Sequence, residues 1–478
     1  MRAEPWPLGS RPGLGVPVDV RAAEQGGGVW GRGWRRLTFG LVMTITLVAF
    51  ESLAISTVMP VVADDLGGLG LYGWVFSAFF LGSLLGIVLA GRAADRRGTG
   101  PPFAVALALV SGGLLAGGLA PSMGALVAAR VAQGLGAGAI PTIAYTSVGR
   151  AYPAGLRPRV FAVFSSAWVI PGVLGPAASS GLASALGWRS VFLALLPLVV
   201  GAGAITLPSL EWNGQPGKAP HRARTGWALA LVAGATLVLM GLAGPPPLAA
   251  AALIVAGAPV GGLAFVRLAP VGTLRLAPGL PAAVLVRGVL TFAFFGTDVY
   301  VSLTLAEIRG QPTWVAGAAL TAATLLWTAG AWVQQRVIHT MGPRRLVVAG
   351  FLLVAAGIGG MQGALGRLPV PLAIAVWSLA GLGMGLAYSP LSVTVLGTAE
   401  PSELGAASAS LQLSDILGVS LGTGLGGALL TLGQSRGLPT SATLRLAFMT
   451  TLMMALLGAV AARRLPPQLR QVRHGPAR

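Results

Sequence analysis

GRAADRRG, residues 91–98, closes a long apolar run with an acid, two bases and a glycine, and a looser form of the same ending, QRVIHTMGPRR at 335–345, closes another. His339 and Gly342 keep the mutual spacing of Asp95 and Gly98. Two distant apolar runs that end alike are read as corresponding parts of two copies of one unit. Parallel repeats around a site near the bilayer midplane are a transporter architecture.

The composition around these stretches agrees. Of 478 residues 54% are hydrophobic and only 9% charged, with mean hydropathy +0.78, whereas soluble chains average about a quarter charged residues. The chain reads as a polytopic membrane protein. The net charge of +19 comes from 32 basic residues, a single one of them lysine (Lys218). They are scattered through short connectors rather than gathered on a stripe, so no nucleic-acid partner is expected. With no cysteine, neither a disulfide framework nor a thiolate metal site is available, and no metal site is expected. The segment before the first apolar run has no short apolar core followed by small residues, so that run is expected to be a retained helix rather than a removable signal.

A hydrocarbon core about 30 Å thick takes about 20 residues of helix. Runs of that kind fall at 37–59, 72–92, 103–121, 124–147, 160–182, 189–207, 226–243, 248–267, 283–305, 314–337, 346–364, 371–396, 405–431 and 443–462, fourteen in all. Basic residues are retained on the cytoplasmic side. With the N-terminus inside, 26 of them fall inside and five outside, with Arg130 within a helix and Arg287 counted at a helix mouth. The expected fold is all-α: a cytoplasmic tail (1–36), a six-helix half (37–207), a linker with an inserted helix pair (208–270), a second six-helix half (271–465) and a cytoplasmic tail (466–478), with both termini inside.

At this point the sequence resembles the major facilitator superfamily, and within it the fourteen-span drug/proton antiporters. GRAADRRG is similar to that superfamily's loop signature after helix two, with Gly91, Asp95, Arg96 and Gly98 in register, while Thr99 and Gly100 stand where two bases are usual. RVAQGLGAG (130–138) resembles the helix-four signature, FESLAISTVMPVVADDL (50–66) the helix-one signature with Glu51 at its acid, and GWRSVF (187–192) the usual beginning of helix six. IPGVLGPAASSG (170–181) resembles the antiporter signature of helix five through Gly175 and Pro176. The resemblance implies a major facilitator fold, efflux by proton antiport, and a gating role for the loop and helix-five residues.

The interior charges carry the chemistry. A charge near the bilayer centre costs about 2.5–3.5 kcal/mol on insertion scales, so an acid there faces a cavity or a partner. Glu51, Asp298 and Asp415 are three such acids, and helical rise places Glu51 and Arg130 at similar depth. Desolvation and a neighbouring guanidinium act in opposite directions on a carboxyl's proton affinity. A carboxylate held between them is suited to exchange a proton for a cation, because one acid cannot serve both at once. Glu51, Arg130, Asp298 and Asp415 are therefore the candidates for proton coupling or substrate binding. In the fourteen-span branch an arginine usually occupies the position of Asp415, and the reversed sign fits recognition of cations. Pro171 and Pro176 should kink the fifth span, and its glycines should pack it tightly against a neighbour. Phe50, Trp168, Tyr300 and Trp327 lie well inside spans and are candidate cavity aromatics.

His221, His339 and His474 fall in loops or the tail, and neither a Ser/His/Asp arrangement nor a P-loop pattern is present. The chain is therefore read as no enzyme, without cofactor, driven by an ion gradient. The expected function is proton-coupled efflux of a lipophilic, cationic, drug-like compound by a monomer in the cell membrane, its partners being that small molecule, protons and the lipid bilayer. Uptake of a small metabolite by proton symport, and a non-transporting membrane sensor, are the alternatives.

Overall fold

A computed structural model describes residues 28–31, 33–67, 71–212, 223–242 and 247–468. The predicted tails at 1–36 and 466–478 lie mostly outside these residues, as does much of the linker beyond residue 212. The described residues form helices and no strand: α1 (Arg35–Leu66), α2 (Tyr72–Arg97), α3 (Gly100–Gly118), α4 (Met123–Ala151), α5 (Arg157–Ser166), α6 (Val169–Leu186), α7 (Arg189–Thr206), α8 (Ala223–Leu242), α9 (Pro247–Leu268), α10 (Leu280–Leu303), α11 (Thr313–Ala364), α12 (Val370–Thr398), α13 (Leu404–Ser435) and α14 (Thr440–Ala461). Where no water is available, each backbone polar group needs a partner, and a helix supplies it within its own segment. Hydroxyl side chains follow the same rule. Thr44, Ser147, Thr206 and Thr394 each donate to the carbonyl four residues back.

Ten helices among the described residues are long and apolar enough to cross a membrane. One of them, α11, reverses at Gly342, whose positive φ (φ 74, ψ 161) breaks the rod just before Pro343, so it carries both predicted runs 314–337 and 346–364. Gly98, at the end of α2, has nearly the same conformation (φ 78, ψ 179). The two glycines of the repeated motif thus make the same turn, one that residues with a Cβ rarely adopt.

The predicted fifth span departs from expectation. The run 160–182 is two helices, α5 and α6, separated at Ala167 and Trp168. Pro171 has no N–H to offer the Ala167 carbonyl, so the helical ladder is interrupted one turn before the proline. The tight packing expected of its glycines is not found at Gly172, where an added Cβ would meet only Thr324, at 4.0 Å.

Close helix crossings occur elsewhere. A Cβ at Gly134 would lie 2.1 Å from the Phe79 carbonyl oxygen and one at Gly138 2.3 Å from that of Ser83, so α2 and α4 touch backbone to backbone along the RVAQGLGAG stretch. The first helix extends to Leu66, past the predicted end at 59. Its end is held by Asp65, which accepts hydrogen bonds from Trp188 Nε1 (3.0 Å) and Arg189 Nη1 (2.8 Å). These bonds, the indole's first, keep the Asp65 carboxyl below the usual carboxylate range. Helices α8 and α9 pack on one another where Gly234 meets Gly257 and Gly261. They rest on α2 and α13 through Leu231 and Leu268 against Val88 and Leu413, a cluster separate from the main core.

Candidate functional site

The crossing of α2 and α4 sets the first charged pair. It turns Arg130 inward at 2% exposure, against Glu51 of α1 at 4%, and Arg130 Nη1 donates to Glu51 Oε1. The same nitrogen donates to Gln133 Oε1 at 2.8 Å, Arg130 Nε donates to the Val75 carbonyl at 3.2 Å, and the guanidinium lies 4.2 Å from the centre of the Phe79 ring. A buried charge has to be paired and hydrogen-bonded to be tolerated, and this guanidinium is both. Gln133 Nε2 beside it is buried without a hydrogen-bond partner. Glu51 also lines a mainly apolar cavity of about 10 Å³, room for about one water, together with Thr44, Leu47, Val110, Leu114 and Ile140. The carboxylate therefore meets a guanidinium on one side and a space without counter-charge on the other.

A second pair was not foreseen. Arg287 is not at a helix mouth, as the charge tally had it, but fully buried two turns into α10, since the helix begins at Leu280. Its Nε donates to Asp415 Oδ1 of α13 at 2.8 Å, and its Nη1 to the Tyr388 carbonyl at 2.7 Å and to Ser392 Oγ at 3.3 Å. The Tyr388 hydroxyl completes the cluster by donating to Asp415 Oδ2 at 2.7 Å. Tyr145 of α4 comes alongside Arg287 and Tyr388, so the cluster joins helices far apart in sequence. Asp415 is thus neutralised within its own neighbourhood rather than open to a cation. The signal for Arg287 was its place within the apolar run beginning at 283; nothing in the sequence tied Tyr388 or Tyr145 to it.

Asp298 makes no ion pair among the described residues. It faces the Trp377 indole of α12 and stands partly buried on α10. Of the candidate aromatics, Trp327 meets Phe294 (5.7 Å), Phe295 (6.0 Å) and Tyr388 (5.3 Å). The Tyr300 hydroxyl donates to the Thr423 carbonyl at 2.6 Å, and its ring lies over Gly426. Trp168 sits at the break between α5 and α6, 45% exposed, and Phe50 is half-buried against the core.

The GRAADRRG residues form a latch at one end of the bundle. Asp95 accepts hydrogen bonds from the first amides of α13, Gly405 N at 2.8 Å and Ala406 N at 2.9 Å, and from Arg150 Nη2 at 3.2 Å. A carboxylate there satisfies amides that the helix leaves unpaired and complements its dipole. Gly91 allows the approach, because a Cβ on it would lie 2.5 Å from the Gly405 carbonyl oxygen. Arg150 also bonds Glu211 at 2.9 Å, and Arg157 donates to the Leu396 carbonyl at 3.2 Å. Arg96 is exposed at the helix end. Gly175 is buried in α6 and its carbonyl accepts from Ser179, and the side chain of Pro176 lies outside the described residues.

A family profile described as Major Facilitator Superfamily matches residues 41–362. A Mycobacterium tuberculosis protein named "Probable multidrug-efflux transporter" is 28% identical over 457 residues, covering 88% of this chain and 94% of that one. The "Tetracenomycin C resistance and export protein" of Streptomyces glaucescens is 28% identical over 421 residues, 84% of this chain and 77% of its own. Among solved structures, the human organic anion transporter MFSD10 (TETRAN) superposes with a TM-score of 0.69 at 16% identity over 90% of this chain and 99% of that chain. The proton:xylose symporter XylE does so with 0.64 at 14% identity, over 89% and 94%. These two similarities show the fold alone.

Proposed function

The chain belongs to the Major Facilitator Superfamily, and from that premise we propose that this multi-pass membrane transporter exports a lipophilic, cationic, drug-like compound in exchange for protons. The observation that carries this reading is Glu51, a buried carboxylate paired with Arg130 and facing apolar side chains on its other side. An organic cation that reaches this carboxylate when the surrounding helices move apart competes with the proton for it, and the one is released as the other binds. Relatives named for multidrug efflux and for export of tetracenomycin C support the outward direction. On the same reading the helices make fourteen crossings, divided into halves at 37–207 and 271–465 with the pair within 208–270 inserted, and the matching turns at Gly98 and Gly342 support the repeat. The basic excess supports cytoplasmic termini. The Asp95 latch then lies at the cytoplasmic end and closes it.

Everted vesicles carrying a pre-formed inward-acid pH gradient test the reading. Adding tetraphenylphosphonium is expected to release protons from vesicles holding the wild type and not from those holding Glu51→Gln. Release that persists in the variant removes Glu51 from coupling, and cation expelled from the lumen together with protons would mean uptake in the cell rather than export.

A further inference from the structure

The cavity beside Glu51 is lined from one part of the chain. Thr44 and Glu51 face it from α1, Val110 and Leu114 from α3, Ile140 from α4 and Ala202 from α7, all within 37–207. Three polar side chains stand at it or next to it. Thr44 and Glu51 are seven residues apart and share one face of α1. Gln133 is on the face of α4 that carries Ile140, and it reaches α3 between Val110 and Leu114, where a Cβ on Gly113 would lie 2.5 Å from its Cγ. Its buried Nε2 has no hydrogen-bond partner. An orphaned buried donor beside room for one water is the ordinary mark of a water site. Beyond Thr44 the polar line continues. Thr44 Oγ1 lies 3.5 Å from Thr206 Oγ1, which Gly40 admits because a Cβ there would lie 2.4 Å from that oxygen. Thr206 is the last residue of α7. It stands at the latch end, since Glu211 five residues on bonds Arg150, which bonds Asp95.

Resting on the reading of Glu51 as the exchanging acid, we propose that this cavity binds a single water and that the proton leaves Glu51 through it, by way of Thr44 and Thr206. In export the cation arrives from the side to which the proton must go, so a separate path keeps the one from blocking the other. The Glu51 carboxyl gives its proton to the water as the water gives one of its own to Thr44 Oγ1. Thr44 in turn gives its proton to Thr206, which passes one to solvent when the latch end opens. Each oxygen along the line loses one proton as it gains one, and a carboxylate remains for the cation. Both threonines donate to the carbonyl four residues back and keep a lone pair for an incoming proton. Thr206 has 0% exposure, so with the latch closed the line stops short of solvent and no proton leaks along it.

The rate of proton release from everted vesicles on adding tetraphenylphosphonium, measured beside equilibrium binding of that cation to the purified full chain, tests this. Thr44→Val keeps the shape and removes the hydroxyl. Its release is expected to slow about tenfold or more, since a positioned proton carrier contributes about a hundredfold and upward, while its binding stays that of the wild type. Thr44→Ser is expected to match the wild type in both. A structure of the wild type at a resolution that shows ordered water should place one bonded to Thr44 Oγ1, and a dry cavity there overturns the water site. Release at the wild-type rate in Thr44→Val overturns the route. Equal slowing in Thr44→Ser, or binding lost in step with the rate, overturns it too and makes Thr44 a packing residue. The two readings fail separately. Release that is absent in the wild type or persists in Glu51→Gln removes the exchange reading, and the route with it, while the water is still decided by its density; release abolished in Glu51→Gln but unchanged in Thr44→Val removes the route and leaves exchange.

Discussion

Arg130 is held by four partners, and removing it exposes what each was balancing. Glu51 would remain as a buried carboxylate with no counter-charge, an arrangement that costs about 3–5 kcal/mol when one partner of a buried pair is lost. Arg130→Met should therefore lower the thermal midpoint of the purified protein markedly. Glu51→Gln combined with Arg130→Met should recover much of the loss, because no charge is left stranded. A double variant as unstable as the single one would mean that Arg130 acts through Val75, Phe79 and Gln133 instead. The same logic explains why Asp415 could not be read correctly from its own neighbours in the chain. Its partner Arg287 lies 128 residues away, and a lone acid in an apolar run looks identical whether a guanidinium faces it or not.

Helices in this chain end or break where the backbone has a local reason. Gly98, Gly187 and Gly342 turn at positive φ, and α5 gives way to α6 one turn ahead of Pro171. Pro171→Ala restores an N–H four residues after Ala167, and α5 and α6 are expected to join. The new amide at position 171 should then show slow hydrogen exchange, and rapid exchange there would place the cause of the break in tertiary packing. Sequence reading placed the irregularity at the prolines, within a turn of where it occurs, because proline acts locally. Tight packing at Gly172 was not legible in the same way, because whether a glycine meets a neighbour depends on which helix lies opposite. Gly134 and Gly138 have α2 against them, whereas Gly172 has almost nothing.

Across the whole molecule, α2 is latched to α13 by a carboxylate on the first amides of a helix, a contact typically worth about 0.3–1 kcal/mol and up to about 2 when partly buried. Asp95→Asn keeps the shape and removes the charge, and should favour the conformation opened at this end. The chain has no cysteine of its own, so Leu396→Cys, at a position now buried against Gly149, would be its only thiol. Combined with Asp95→Asn it should react with a water-soluble maleimide about five- to thirtyfold faster than alone, the ratio that 1–2 kcal/mol sets. An unchanged rate would mean that Arg157 and the packed side chains close this end without Asp95.

Membrane residence, helical class, the apolar runs and the motif glycines were determined by the sequence alone, because each rests on the solvent a segment needs or on the backbone freedom of a single residue. The similar depth of Glu51 and Arg130 followed from helical rise along two segments. Only the tertiary structure decided that these two meet, that Arg287 neutralises Asp415, and that Asp298 faces Trp377 with no ion pair among the described residues. Those outcomes depend on which face of one helix opposes which face of another. In an interior that is apolar all round a helix, little in the pattern of residues marks that face, and small differences in close packing choose it.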